Sequence, residues 1–198
     1  MVDLTDRDRR DLLQLARSAI ESELLGGKAA LRPAVPSPAL KETRGCFVTL
    51  HKRGALRGCI GSIEPKVTLV AGVEENARHS AFRDPRFPAL TKQELPDITV
   101  EISILTRPVA LEFTDGQDLM AQLIPNVHGV ILESGWHRST FLPQVWSQLP
   151  KKEDFLASLC RKAGLDSTCW KDNTTRVKVY EAEFFSEADV NTDPENHP

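Results

Sequence analysis

Ile98, Val100, Ile102 and Ile104 alternate with Thr99, Glu101 and Ser103, the period-two pattern of a strand with one apolar and one polar face. Upstream, Thr5 with Asp8 three residues on forms a capping-box variant. It opens a helix whose stripe is Leu12, Ala16, Ala19, Ile20 and Leu24, and Gly26-Gly27 closes it. Residues 28–44 carry Pro33, Pro36 and Pro38 and read as loop. Cys46 to Leu50 and Leu56 to Ile60 form a hairpin turning at Arg53-Gly54. Pro65 opens a second helix along Leu69, Val70, Val73 and Ala77, ending near Ala81. Phe82 to Pro88 is too proline-rich for helix or central strand, and Thr91 and Glu94 cap one short turn before the strand at Ile98.

The second half runs through the same order. Asp118 to Ile124 reads as a short helix, and Val127 to Glu133 with His137 to Leu142 as a hairpin around Ser134-Gly135. Pro143 starts a helical region, and a helix from Lys151 carries Phe155, Leu156, Leu159, Cys160 and Ala163 to a stop at Gly164. Thr175 to Phe184 alternates as one final strand. Helix, hairpin, helix and strand thus occur twice, over 5–105 and 115–185. The pattern predicts an α+β fold, one domain over 5–185 built from a duplicated unit, with a disordered tail over 186–198.

A chain of 198 residues with 40% apolar residues holds one core-forming domain or two small ones. Its net charge of −3, with both signs interspersed, gives no general affinity for nucleic acid or anionic membrane. The start, Met1-Val2-Asp3-Leu4-Thr5-Asp6-Arg7-Asp8, lacks the positive and apolar runs of a secretion signal, and no stretch approaches a membrane span. A cytoplasmic location and four reduced cysteines are the corresponding expectations. The histidines and cysteines show no metal-ligand spacing, and there is no phosphate-binding glycine loop or dinucleotide fingerprint; no metal or cofactor is expected.

The densest chemistry lies in Leu56-Arg57-Gly58-Cys59-Ile60-Gly61. Period two places Arg57 and Cys59 on one face, where the guanidinium favours a thiolate, and Gly58 and Gly61 let a ligand or another backbone come close. Inert packing of a buried cysteine is the alternative. Glu101, on the polar face of its strand, is either solvated or aimed at this thiol as an orienting group or base. Asp84 and Arg86 flank Pro85 and hold either a turn or a ligand. Gln144 follows Pro143, where the first turn of a helix leaves N–H groups for an anion or simply begins a helix. The arrangement predicts one site with Cys59 and Glu101 as catalytic groups and Arg57, Gly58, Gly61, Asp84, Arg86 and Gln144 as ligand contacts.

That six-residue stretch, together with Asn76-Ala77, Ala81-Phe82, Asp84-Pro85-Arg86-Phe87, Glu101-Ile102-Ser103, Phe141-Leu142-Pro143-Gln144-Val145 and Leu159-Cys160-Arg161-Lys162-Ala163-Gly164-Leu165, resembles the AMMECR domain family. The likeness covers residues 8–185. It is similar to the A component of the AmmeMemoRadiSam system, which implies Memo-like and radical SAM proteins as partners. The resemblance implies an α+β fold with two unequal subdomains around a cleft, and it carries no reaction with it. Two functions compete. One is an enzyme or enzyme component acting on a small molecule or modified residue. The other is a non-catalytic protein adaptor or RNA-binding module, the RNA form weakened by the missing base-stacking aromatics and the negative charge.

Overall fold

The computed structural model describes residues 4–26, 31–33, 36–172 and 174–190, and they form an α+β fold in two units. The first unit runs to Leu105 and resumes at Glu183; the second is Thr106–Ala182.

In the first unit, α1 (Asp6–Leu25) starts on the expected capping box. The Asp8 backbone N–H donates to Thr5 Oγ1 at 3.1 Å, and Asp8 Oδ2 accepts from the Thr5 backbone at 3.0 Å. Gly26 ends the helix at φ +62°. A helical turn, α2 (Pro38–Lys41), follows within the segment expected to be all loop. The hairpin is β1 (Cys46–Lys52) and β2 (Ala55–Ser62), joined at Arg53-Gly54 with both φ values positive, as a type I′ hairpin turn requires. Helix α3 (Leu69–Phe82) begins at the Thr68 cap, not at Pro65, and β3 (Ile98–Leu105) follows.

The sheet order is β2-β1-β3-β8, with β8 at Ala182–Ser186. Val48, Leu50, Val100, Ile102 and Ile104 pack on Leu12, Ala16, Val73 and Ala77 of α1 and α3. Alternation therefore puts Phe47, Thr49, His51, Cys59 and Glu101 on the face away from the helices.

The second unit holds β4 (Val109–Leu111), α4 (Gly116–Gln122), the hairpin β5 (Gly129–Ser134) and β6 (His137–Phe141), α5 (Lys152–Lys162) and β7 (Arg176–Tyr180). Its sheet order is β4-β7-β5-β6. In both sheets the strand after the helical stretch lies beside the first hairpin strand, and a fourth strand lies outside it. The core gathers Leu119, Val130, Leu132, Trp146, Phe155, Leu159 and Val177.

Three further expectations are corrected here. The final strand is two: β7 ends at Tyr180 and β8 starts at Ala182. At the break, Glu181 is paired with Thr106, its N–H donating to Thr106 Oγ1 and its carbonyl accepting from the Thr106 N–H, both at 2.9 Å. Ser186 closes β8 and Glu187–Val190 forms α6, so the expected disordered tail is ordered to that point; 191–198 lie outside the described residues. Glu187 anchors this segment, accepting from Arg17 Nε at 2.8 Å and from the Val100 N–H at 2.8 Å.

The third correction concerns redox state, because Cys160 and Cys169 form a disulfide where free thiols were expected. Gly164, at φ +75°, turns the chain beyond α5, and the short turn Cys169–Lys171 returns to the helix. Closing so small a loop restricts the unfolded chain, so replacing both cysteines by Ala should cost about 2 kcal/mol. A denaturant titration of the variant, repeated on reduced wild type, checks this; equal midpoints for oxidised wild type and the variant would count against it.

No helix among the described residues is long and apolar enough to cross a membrane.

Candidate functional site

The site is built on the register of three strands. Thr49 of β1 is paired with Cys59 of β2 on one side and with Glu101 of β3 on the other. Cys59 and Glu101 thus share a face but not a strand boundary; their Cα atoms are separated by two strand spacings, about 10 Å. A small ligand can bridge that gap. Thr49 Oγ1 donates to Cys59 Sγ at 3.3 Å. His51, two residues along β1, brings Nε2 to 3.8 Å from Glu101 Oε2. Thr49 and His51 escaped the sequence reading, although the alternation Phe47, Thr49, His51 against Val48, Leu50 placed them on this face.

Arg57 does not serve Cys59. The register shifts here, with Leu50 opposite Gly58 and His51 opposite Leu56, so Arg57 has no partner on β1. Such a bulge re-aims its side chain. Arg57 is buried, donating from Nε and Nη2 to Glu94 at 3.1 and 3.2 Å and from Nη2 to the Pro88 carbonyl at 2.9 Å. It holds the loop after α3 against the hairpin, and this replaces the expected role of lowering the thiol pKa.

The guanidinium near Cys59 is that of Arg86, whose Nη2 donates to the Cys59 carbonyl at 3.3 Å. Arg86 grips Asp84 with a two-pronged contact, Nε to Oδ1 at 2.9 Å and Nη2 to Oδ2 at 2.6 Å. Asp84 is buried and also accepts from the Arg86 and Cys59 backbone N–H groups. The Arg86 fork and these bonds hold its carboxyl well below the usual carboxylate range. With its oxygens so engaged, Asp84 positions the edge strand β2 and leaves little to offer a ligand.

The glycines are filled. A Cβ on Gly58 would stand 2.1 Å from the Ser80 carbonyl oxygen of α3, so Gly58 admits another backbone. A Cβ on Gly61 would strike the Phe47 ring at 2.3 Å. Neither opens a path to the thiol. Ser80, also missed from sequence, donates to the Val48 carbonyl and accepts from the Ile60 N–H, locking α3 to the hairpin.

Gln144 lies in the second unit, in the 3-10 turn Pro143–Ser147 and not at the start of an α-helix. Its carbonyl accepts from Ser147 Oγ at 2.7 Å. A five-residue turn offers no helix N-terminus for an anion.

Cys59 is half-buried, and burial pushes its thiol above the usual range. The Thr49 hydrogen bond and Arg86 pull it down, while Asp84 and Glu101 raise it further. Cys46, the other free cysteine, is fully buried and pushed up to about 11. Alkylation by iodoacetamide should therefore modify Cys59 before Cys46, with a midpoint on the alkaline side of an unperturbed thiol. Mass spectrometry of the alkylated peptides across pH checks this; half-maximal labelling of Cys59 near neutral pH would contradict it.

Among the described residues no group of three or more His, Cys, Asp or Glu could hold a metal ion. The arrangement is a thiol and a carboxylate set across a threonine, on the sheet face opposite the one that packs on α1 and α3.

Comparison with known proteins gives this arrangement its family. The AMMECR1 family model matches residues 13–185, and the chain belongs to that family. A protein of Methanothermobacter thermautotrophicus is 42% identical over 93% of this chain and 96% of its own length. Protein MJ0810 of Methanocaldococcus jannaschii is 37% identical over 89% of each. The crystal structure of an uncharacterized protein, PH0010 from Pyrococcus horikoshii, superposes with a TM-score of 0.87 at 37% identity, covering 96% of both chains.

Proposed function

We propose that this protein is an enzyme, or a component of one, acting on a small molecule or a modified residue at the face of β2, β1 and β3 away from α1 and α3. The register of Cys59, Thr49 and Glu101 carries the reading, because it sets a thiol and a carboxylate on one face with a hydroxyl between them. Cys59 is the reacting group. Its thiol lies above the usual range, so its proton has to leave during the reaction, and on this reading Glu101 takes it by way of the bound molecule or orients the substrate. Asp84 and Arg86 position the thiol's strand. The resemblance to the AmmeMemoRadiSam A component supports a cytoplasmic setting and Memo-like and radical SAM partners.

The test is capture of metabolites from a cell lysate on immobilised wild type, Cys59→Ser and Glu101→Gln. Compounds retained or altered by the wild type and lost with both variants support the site. Identical profiles from all three would overturn it.

Trp136 favours a second reading, a non-catalytic protein adaptor. It stands fully exposed at the tip of the β5–β6 hairpin, beside a cavity of about 420 Å³ shared with His137, Arg138 and Arg176. Aromatic and arginine side chains together are the usual anchors of protein contacts. Loss of a partner on Trp136→Ser, with metabolite capture by the wild type absent, would put this reading first.

A further inference from the structure

The proposed site leaves one buried polar atom without a hydrogen bond beside a carboxylate, and their chemistry identifies what would fill it. His51 Nε2 is buried and has no hydrogen-bond partner among the described residues. Glu101 Oε2 lies 3.8 Å from it, too far for a direct hydrogen bond. A contact of that length between two polar groups is the place for an intervening donor. The Glu101 side chain is only about a quarter exposed, so water satisfies it less fully than on an open surface.

The charges around the site say which donor. Asp84 is offset by the Arg86 fork. Among the cations of the hairpin, Lys52 and Arg57 are paired with Glu94 and Arg53 with Asp97. Glu101 is left with no Lys or Arg partner among the described residues, His51 being its one basic neighbour. An anionic ligand would meet this carboxylate; a cation bearing several N–H donors would complement it.

We infer that the site takes a ligand carrying a primary ammonium group, which donates to the Glu101 carboxylate and to His51 Nε2. An imidazole that carries its proton on Nδ1 accepts at Nε2, and an ammonium then has donors for both atoms and a charge for one. The inference rests on the proposed function for its location and adds the substrate class. It also supplies a control on reactivity. Cys59 faces Asp84 and Arg86 from the loop after α3, Glu101 from β3 and Thr49 from β1; an added positive charge beside Glu101 offsets the carboxylate that disfavours the thiolate. The thiol becomes reactive when the ammonium is bound and stays protected otherwise.

The experiment follows the pH profile of Cys59 alkylation in the full chain, with n-propylammonium, tetramethylammonium or sodium as chloride salts at equal ionic strength. Propylammonium should shift the profile to lower pH, because a positive charge beside Glu101 offsets a carboxylate that raises the thiol. Tetramethylammonium, with its charge but no N–H, should behave as sodium does. Glu101→Gln should abolish the propylammonium effect. Equal profiles in all three salts, or a propylammonium shift that persists in Glu101→Gln, would overturn the inference. If propylammonium has no effect while metabolite capture still depends on Cys59, the ammonium assignment fails and the site reading stands; loss of that capture dependence removes the site itself.

Discussion

Gly58→Ala is expected to destabilise the protein by about 4 kcal/mol, enough to unfold a domain of ordinary stability at elevated temperature. The new Cβ would lie 2.1 Å from the Ser80 carbonyl oxygen and 3.1 Å from its carbonyl carbon, both backbone atoms of α3. The helix cannot simply back away. Ser80 Oγ donates to the Val48 carbonyl at 2.7 Å and accepts from the Ile60 N–H at 2.8 Å, so retreat breaks two bonds that staple it to the hairpin. Overpacking alone costs about 1–3 kcal/mol, and each buried polar group left unpaired adds about 1–3 more. Thermal unfolding followed by circular dichroism checks this. A variant melting within a few degrees of wild type would show that α3 has room to shift, and would return Gly58 to the ligand-contact role first assigned to it.

That glycine illustrates how much of the fold and site could be read from the sequence. Alternation along Ile98 to Ile104 and along Cys46 to Leu50 identified the strands and assigned Glu101 to the polar face, because side-chain period is a local property. The capping box of α1 and the Arg53-Gly54 turn are local for the same reason. The shared face of Cys59 and Glu101 followed from the hairpin-helix-strand order, although β1 lies between their strands. What failed depended on distant partners. Nothing within β2 announces the bulge at Arg57, whose ion pair with Glu94 spans 37 residues. The alternation from Arg176 onward continues past Glu181 without a signal, and the strand divides because its halves pair in different sheets. Cys160 looked like core, and it is, but its bond to Cys169 depends on a turn that spacing alone does not reveal.

Arg57→Ala should cost about 3 kcal/mol of stability and loosen the site without removing any group that touches a ligand. Its loss strands a largely buried carboxylate, for which breaking a buried pair typically costs about 3–5 kcal/mol. The lower end applies because Glu94 keeps Lys52 at 3.0 Å and the Thr91 N–H and hydroxyl at 3.1 Å. The Arg57 bonds hold the Glu94 carboxyl well below the usual range. A carboxyl lowered on folding stabilises the protein above its unfolded pKa and loses that contribution as pH falls through its folded value. The gap between wild type and Arg57→Ala should therefore be full at neutral pH and narrow below about pH 4. Arg57→Lys keeps the charge but not the fork, and should fall between the two. The loop carrying Pro88 also loses its tie to β2, and Asp84 sits at the start of that loop with its hold on the Cys59 N–H. Cys59 should then alkylate faster in Arg57→Ala, as its burial relaxes. Urea titrations from acid to neutral pH, with Cys59 labelling beside them, make the measurement. A variant as stable as wild type, with an unchanged Cys59 profile but impaired metabolite capture, would show that Arg57 serves the ligand after all.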